Sequence, residues 1–203
     1  MTTPIEHIVF DIGSVLIHYD PEIPFKKLIP DDTERRWFFD NVCTSEWNFE
    51  QDRGRSWPDA EALLIDQYPE HTDLIRAFRR NWRDMVPYSY SGTVAIFEQF
   101  IDGGKDLTML TNFSSDTFRE AQEIYPFLKR PRGVTVSGDV KLIKPDAAIY
   151  ELHTNSFDLK KEATFFIDDN PANIKAAKAH GWQAVLFTSP GQLARDIEQL
   201  RFK

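Results

Sequence analysis

The sequence predicts an α/β fold with a parallel sheet, interrupted after its first strand by a helical insert. Four short runs of apolar or β-branched residues occur at 5–10, 106–110, 164–167 and 183–187. Helical patterns or much longer stretches separate these runs, and this alternation is typical of parallel strands joined by helices. A weaker candidate for a fifth strand lies at 134–136.

Glycine and proline delimit two helices of this alternating part. The helix predicted at about 92–102 ends at the pair Gly103 and Gly104, because glycine readily adopts the left-handed conformation that closes a helix. The helix before the last predicted strand begins at Pro171, which suits a first helical turn, and ends at Gly181. Each helix therefore leads directly into a predicted strand.

Residues 22–88 break the alternation, because they contain helical patterns rich in aromatic residues and no convincing strand. Trp37 and Leu63 belong to apolar stripes that we expect to face the interior of a small bundle. Proline residues near both ends of this segment mark its boundaries, since proline interrupts helices. The predicted units are a core formed by residues 1–20 and 89–203 and a helical cap formed by residues 21–88.

Composition and charge exclude several classes of function. The chain has 203 residues, 41% of them hydrophobic, so it can bury a sizeable core. Its net charge of −8 opposes non-specific binding to nucleic acid or anionic membranes. No apolar run approaches the length of a membrane span, and no basic stretch leads into a signal segment. We therefore expect a cytoplasmic protein, a monomer or homodimer, that binds neither nucleic acid nor membranes.

Reactive side chains lie where the predicted strands end. Asp11 follows the first strand, Thr111 follows the second, and Asp168 and Asp169 follow the third of the four strong runs. Lys144 lies before a proline in a loop that leads to a helix. Ligands of open α/β sheets bind outside the carboxyl ends of the strands, so we expect these five side chains to converge there.

These residue types supply the parts that phosphoryl transfer requires. The Asp11 carboxylate can attack phosphorus, Lys144 can act as a fixed cation, and Thr111 can donate a hydrogen bond to a phosphoryl oxygen. Asp168 and Asp169 can hold Mg²⁺ together with Asp11, since Mg²⁺ prefers oxygen ligands. We therefore expect a Mg²⁺-dependent enzyme that acts on a small phosphorylated metabolite.

Four motifs occur in a characteristic order, at Phe10–Val15, Leu110–Asn112, Lys144–Asp146 and Phe166–Asn170. In these motifs the chain resembles the haloacid dehalogenase (HAD) superfamily of hydrolases over essentially its full length. The resemblance implies a Rossmann-like core with an inserted helical cap. The roles that it implies are a nucleophile at Asp11, a phosphoryl donor at Thr111, a charge at Lys144, and metal ligands at Asp11, Asp168, Asp169 and the Gly13 carbonyl.

Gly13 departs from the pattern of many phosphatases in this superfamily. These enzymes carry a second aspartate two residues after the nucleophile as general acid and base, and glycine cannot take that role. The proton shuttle is therefore unassigned, with His18 and Asp20 as candidates from the segment after the first strand. The branch that the chain most resembles includes bacterial sugar-phosphate phosphatases with glycine at this position, so a sugar phosphate is the first substrate to test.

Asn112, Trp47 and Arg53 are the candidate substrate-binding residues. Asn112 fits either a helix entry or a substrate contact. Trp47 and Arg53 belong to a polar and aromatic run at 46–53 that is placed to face the opening of the core, although Trp47 also fits the packing of a small bundle. Lys141 is the alternative to Lys144 as the fixed cation.

The reactive residues also have structural explanations. Aspartate at the end of a strand often forms a turn, and residues 168–170 before Pro171 match a helix-capping run. We expect one of these three residues to cap the helix. The occurrence of all the motifs in one order favours the catalytic interpretation of Asp11.

Three other functions use similar residues. A 2-haloacid dehalogenase uses the same aspartate without a metal, but Asp168 and Asp169 would then repel the nucleophile with no cation to offset the repulsion. Phosphate-receiving regulator domains place their acidic pair first in the chain and have no comparable insert. A catalytically impaired relative that only binds a ligand or a protein is a further alternative, because Gly13 removes the usual acid.

Overall fold

The fold is built on a five-stranded parallel sheet. A computed structural model describes residues 3–200 and residue 202. The strands are β1 (His7–Phe10), β2 (Asp106–Thr111), β3 (Gly133–Val136), β4 (Thr164–Asp168) and β5 (Gln183–Leu186). Their order in the sheet is β3-β2-β1-β4-β5, and each neighbouring pair is parallel. The predicted α/β class is therefore confirmed, including the weaker fifth strand.

The helices occupy the connections between these strands, except for the last helix, which follows β5. Their bounds are α1 (Glu22–Leu28), α2 (Asp32–Asn41), α3 (Ser45–Asp52), α4 (Trp57–Gln67), α5 (Thr72–Arg80), α6 (Ser91–Asp102), α7 (Ser115–Ile124), α8 (Ser137–Val140), α9 (Ala147–Ser156), α10 (Pro171–His180) and α11 (Pro190–Glu198). None of the helices in the described part of the chain is both long enough and apolar enough to cross a membrane.

Both faces of the sheet are covered, and in β1, β2, β4 and β5 the residues that face opposite sides belong to different apolar clusters. In β1, Ile8 and Phe10 pack in the cluster that contains Phe97 of α6. Val9, between them, packs in the cluster that contains Tyr150 of α9. Parallel sheets are generally buried on both faces in this way. Only the ends of the strands are left to form a site.

The strand order places a crevice next to β1. From β1 the chain moves outward through β2 to β3, and it then crosses to β4 on the other side of β1. Ligands bind in open α/β sheets where the order reverses, outside the carboxyl ends of the strands. Asp11 follows β1 and Asp168 ends β4, so both lie at this reversal.

The segment between β1 and α6 is helical, as predicted. Residues 21–88, all of which the structure describes, contain α1 to α5 and two short 3-10 helices and no strand. Phe25 packs against Phe38 and Phe78 with ring centroids 5.4 and 6.2 Å apart. The apolar cluster that contains these rings also contains β1 residues, so the division into core and cap stays a prediction.

Two residues of the predicted apolar stripes point outward. Trp37 is 45% exposed and Leu63 is 55% exposed, whereas their neighbours Phe38 and Leu64 are buried. Adjacent residues of a helix point about 100° apart, so a narrow buried face accommodates one member of each pair. The expectation that Trp37 and Leu63 face the bundle interior is therefore wrong.

Candidate active site

The Lys144 ammonium is the centre of the site. Its Nζ lies 2.8 Å from Asp11 Oδ1 and 2.7 Å from Asp168 Oδ2, and it donates to the Leu110 carbonyl at 3.0 Å. The side chain of Lys144 is only 1% exposed. Burial alone lowers the pKa of Lys144, but the two carboxylates outweigh burial and raise that pKa above its usual value. Lys144 is therefore a charged group that links the ends of β1, β2 and β4.

The backbone of Lys144 is held by one side chain. The Asn112 amide donates to the Lys144 carbonyl at 3.0 Å, and its Oδ1 accepts from the Lys144 N–H at 2.9 Å. Asn112 follows β2, so this pair of bonds ties the loop that carries Lys144 to the end of that strand. Both polar groups of Asn112, a predicted substrate-binding residue, are thus used to position Lys144.

Asp168 is fully buried and is oriented by residues of α10. Its two oxygens each lie 3.0 Å from the Asn173 amide nitrogen, and Oδ1 accepts from the Asn170 N–H at 2.8 Å. Asn170 in turn caps α10 by accepting from the Ala172 N–H at 2.9 Å, which confirms that one residue of the 168–170 run is a cap. Asn173 was not predicted, although an asparagine on the buried face of a first helical turn is an unusual polar residue.

Asp11, Asp168 and Asp169 form a cluster that suits a divalent cation. Each offers one carboxylate oxygen, and these oxygens lie within 4.8 Å of one another. Ligand oxygens around Mg²⁺ lie roughly 3–4 Å apart, so only a small movement would bring all three into contact with one ion. Burial raises the pKa of Asp11 to about 7, and burial and Asp168 raise the pKa of Asp169. A cation would offset this unfavourable concentration of negative charge.

Thr111 carries a hydroxyl group whose position has no structural explanation. Its Oγ1 is buried and has no hydrogen-bond partner among the described residues. Thr108, on the same strand, is also buried, but its hydroxyl lies 3.0 Å from His153 Nε2. Buried polar groups are nearly always paired, so the Thr111 hydroxyl is suited to a ligand at the end of β2.

The insert and the sheet together enclose a cavity of about 200 Å³. Its walls combine aromatic and aliphatic side chains with a few polar groups. The lining residues are Gly13, Ser14, Ile17, Tyr19, Asn48, Asp52, Trp57, Trp82, Val86, Asn112, Phe113, Ser114 and Thr117. The helical insert therefore forms one wall of a space that begins at the carboxyl end of β1.

The structure places Trp47 and Arg53 away from this lining. The Trp47 ring packs 5.3 Å from Phe78, and its indole N–H donates to the Ala60 carbonyl at 3.3 Å, so it contributes to the packing of the insert. The Arg53 guanidinium lies 3.6 Å from Asp146, and its side chain is 42% exposed. Arg53 thus connects the insert to the loop after Lys144.

Asn48 and Asp52 are the lining residues that α3 contributes instead. They lie four residues apart, so they share one face of the helix. Asp52 is partly buried; burial raises the pKa of its carboxyl, and the backbone N–H of Ser114 lowers that pKa. The 46–53 run therefore faces the opening, but through different residues from those that the sequence indicated.

Known proteins are similar to this chain in sequence and in architecture. A sesquiterpene phosphatase of Aspergillus oryzae is 22% identical over 202 residues, which cover 98% of each chain. A HAD family enzyme from Bacteroides thetaiotaomicron has a TM-score of 0.75 at 18% identity, over 92% of this chain and 95% of that one. The same enzyme, in complex with magnesium and inorganic phosphate, has a TM-score of 0.71 at 19% identity, over 91% and 95% of the two chains.

A second solved structure is an L-2-haloacid dehalogenase from Xanthobacter autotrophicus with chloropropionic acid covalently bound. Its TM-score is 0.66 at 13% identity, over 96% of this chain and 82% of that one. The sequence model of haloacid dehalogenase-like hydrolases matches residues 44–187, which is well over half of the chain. The chain therefore belongs to the haloacid dehalogenase-like hydrolases, as its motifs and fold had indicated.

Proposed function

We propose that this hydrolase is a Mg²⁺-dependent phosphatase that cleaves a small phosphomonoester through an aspartyl-phosphate on Asp11. The observation that carries the proposal is the contact of one buried ammonium, Lys144, with both Asp11 and Asp168 beside a third carboxylate, Asp169. The name of the Aspergillus relative and the magnesium and phosphate complex of the Bacteroides enzyme support the same chemistry.

Asp11, Asp168, Asp169 and the backbone carbonyl of Gly13 would hold the magnesium ion. When bound, the ion supplies positive charge that reduces the repulsion between a carboxylate nucleophile and an anionic phosphate group. The three carboxylates provide the hard oxygen donors that Mg²⁺ prefers.

Asp11 has an oxygen available for attack. Lys144 and the Ile12 N–H both contact Oδ1, at 2.8 Å each, and no hydrogen bond or ion pair of Asp11 within the described chain uses Oδ2. Lys144 would keep the carboxylate ionised and oriented, and the Thr111 hydroxyl would donate to a phosphoryl oxygen. Fixed donors of this kind stabilise the charge of the transition state without reorganisation.

The acidic cluster favours phosphate chemistry over dehalogenation. A dehalogenase needs one carboxylate nucleophile and no metal, and further carboxylates beside it would hinder attack on an anionic haloacid. Here Asp168 and Asp169 both raise the pKa of Asp11, in addition to burial, which makes the uncharged, unreactive form easier to populate. A divalent cation removes that disadvantage.

The cavity favours an organic group with apolar carbon atoms. Trp57, Trp82 and Phe113 supply much of its wall, and its volume of about 200 Å³ suits a small molecule. The Aspergillus relative is named for sesquiterpene substrates, which are apolar. We therefore propose that the monophosphate of an apolar alcohol is a better substrate than a sugar phosphate.

Steady-state kinetics test these proposals. We expect hydrolysis of 4-nitrophenyl phosphate with Mg²⁺, loss of turnover in EDTA, and recovery when Mg²⁺ is restored. Acid quenching followed by mass spectrometry should find phosphate on Asp11. In a panel of isoprenoid monophosphates, sugar phosphates, nucleotides and 2-haloacids, the apolar monophosphates should give the highest kcat/KM. Turnover that survives EDTA, or activity on haloacids alone, would contradict the proposed function.

A further inference from the structure

Phosphomonoester hydrolysis requires a proton donor for the departing oxygen, and Gly13 has no side chain to provide it. A Cβ atom built on Gly13 would meet nothing within 4 Å, so the space beside the nucleophile is open toward the cavity. A proton donor must therefore reach this space from another element. An alkoxide leaves slowly without a proton, so such a donor affects the rate strongly.

The two candidates from the sequence, His18 and Asp20, do not line the cavity. His18 stacks on Tyr88 at 4.7 Å, and its Nδ1 lies 3.0 Å from the Tyr90 hydroxyl. Asp20 accepts a hydrogen bond from the Glu22 N–H at 2.9 Å, at the start of α1. Both side chains are thus accounted for by local structure.

Among the described residues that line the cavity, the titratable ones are Asp52 and Tyr19. Burial and the nearby Asp52 raise the pKa of Tyr19 above its usual value, so this phenol keeps its proton. Asp52 is the remaining group. It ends α3 and lines the same space as Gly13 and Ser114 of the core.

The surroundings of Asp52 suit a group that both donates and accepts a proton. Burial raises the pKa of this carboxyl to about 7, against the opposing effects of the Ser114 N–H and the Lys144 charge. Near neutral pH, both protonation states are then populated, which is the condition under which general acid and base catalysis is most effective.

We propose that Asp52, supplied by the insert, is the general acid and base of this phosphatase; the inference rests on the proposed function. In the first step, an Asp11 oxygen bonds to phosphorus, the bond from phosphorus to the ester oxygen breaks, and that oxygen takes the Asp52 proton to leave as an alcohol. In the second step, a water oxygen bonds to phosphorus, the bond from phosphorus to Asp11 breaks, and the water proton passes to Asp52. Inorganic phosphate is released, and both carboxyl groups return to their initial states.

Two substrates of similar size test this role. Benzyl phosphate releases a basic alkoxide that needs a proton, whereas 4-nitrophenyl phosphate releases a stable phenolate. In Asp52→Asn, we expect kcat/KM for benzyl phosphate to fall by about 100-fold or more and kcat/KM for 4-nitrophenyl phosphate to change by less than about threefold. The ratio kcat/KM reports the steps up to release of the leaving group, so it excludes the second step, which is common to both substrates. The exposed Glu50 on the same helix provides the matched control, and Glu50→Gln should leave both rates unchanged.

A rescue experiment extends the test. The open space at Gly13 can accept a side chain. Gly13→Asp added to Asp52→Asn should therefore raise kcat/KM for benzyl phosphate at least about tenfold above that of Asp52→Asn alone. If Asp52→Asn does not fold, the wild-type rates decide: a wild-type kcat/KM that is nearly equal for both substrates supports an acid, and a steep dependence of kcat/KM on the leaving group overturns it.

Other outcomes also overturn the inference. These are an equal loss of kcat/KM for both substrates in folded Asp52→Asn, no loss of kcat/KM for either, and a similar selective loss in Glu50→Gln. Because 4-nitrophenyl phosphate turnover with Mg²⁺ tests the phosphatase function separately, these outcomes leave the proposed function intact. Absence of turnover of both substrates by the wild type rejects the proposed function and this inference together.

Discussion

The sheet side and the insert side of the candidate site are built on different principles. On the sheet side, charged groups contact one another directly, with Lys144 bound to Asp11 and Asp168 and with Asn173 bound to both oxygens of Asp168. On the insert side, aromatic side chains such as Trp57 and Trp82 line the cavity, and Asp52 is the carboxylate that lines it with them. The sheet side thus concentrates preorganised charge, whereas the insert side sets shape and supplies few polar groups. Substitutions on the two sides should therefore have different effects on activity and on stability.

The largest effect is expected at Asp11. In Asp11→Asn, the amide cannot attack phosphorus, so turnover should fall by about 10⁴-fold or more. The fold should persist, because Lys144 keeps its contacts with Asp168 and the Leu110 carbonyl. Activity assays and thermal melting of the same preparation check both statements. An active and folded variant would show that Asp11 is not the nucleophile.

Removal of the central cation should cost both activity and stability. In Lys144→Met, Asp11 and Asp168 become buried carboxylates without their cation, so the unfolding free energy in EDTA should fall by about 3–5 kcal/mol. Chemical denaturation measures this change. Lys141, the alternative cation, is exposed, and Lys141→Met should keep full activity and change stability by less than about 0.5 kcal/mol. Equal effects of the two substitutions would contradict the assignment of Lys144.

Substitutions of two threonines in β2 should distinguish a catalytic hydroxyl from a structural one. Thr111→Val removes a hydroxyl without a partner, so activity should fall by about 100-fold while the unfolding free energy stays equal or rises by up to about 1 kcal/mol. Thr108→Val removes a hydroxyl that lies 3.0 Å from His153, so stability should fall by about 1 kcal/mol while activity persists. Kinetics and denaturation of both variants check this reversal. A loss of stability in Thr111→Val would assign that hydroxyl to the fold.

The smallest expected effect concerns pH and the insert side. The pKa of Asp52 is about 7 in the folded protein and 3.8 in an ordinary environment, so the folded state binds the proton more tightly. Stability from this group is present below about pH 4 and is lost as the pH rises through about 7. Asp52→Asn removes this loss. At pH 8 the unfolding free energy of the variant should therefore exceed that of wild type by on the order of 2 kcal/mol, and at pH 4 the two should be equal. Denaturation curves at pH 4 and pH 8 measure the difference in unfolding free energy between the variant and wild type. The same difference at both pH values would contradict the raised pKa of Asp52.

The sheet side was largely predictable from the sequence. A parallel sheet brings the carboxyl ends of its strands together, so Asp11, Thr111 and Asp168 had to converge once the strands were identified. Lys144 lies in this group as predicted, since its ammonium contacts the carboxylates of Asp11 and Asp168. Asn173 was missed because its bond to Asp168 depends on how α10 continues after its cap.

The insert side was not predictable in the same way. The 46–53 run faces the opening, but Asn48 and Asp52 line it, and their neighbours Trp47 and Arg53 do not. A rotation of about 100° separates adjacent helical positions, and only the packing of α3 on the rest of the insert determines that rotation. The period of the sequence identifies a helix, whereas the direction of its faces depends on distant residues such as Phe78.

The two hydrogen bonds between the Asn112 side chain and the Lys144 backbone affect which changes in sequence the site can tolerate. One carboxamide satisfies the N–H and the C=O of Lys144, in the manner of a neighbouring strand. The depth of the ammonium is therefore set locally, and it is independent of the length of the chain between β3 and Lys144. Insertions or deletions in that connection can alter the loop without displacing the charge, whereas a carboxylate at position 112 would present an acceptor to a carbonyl and release the lysine.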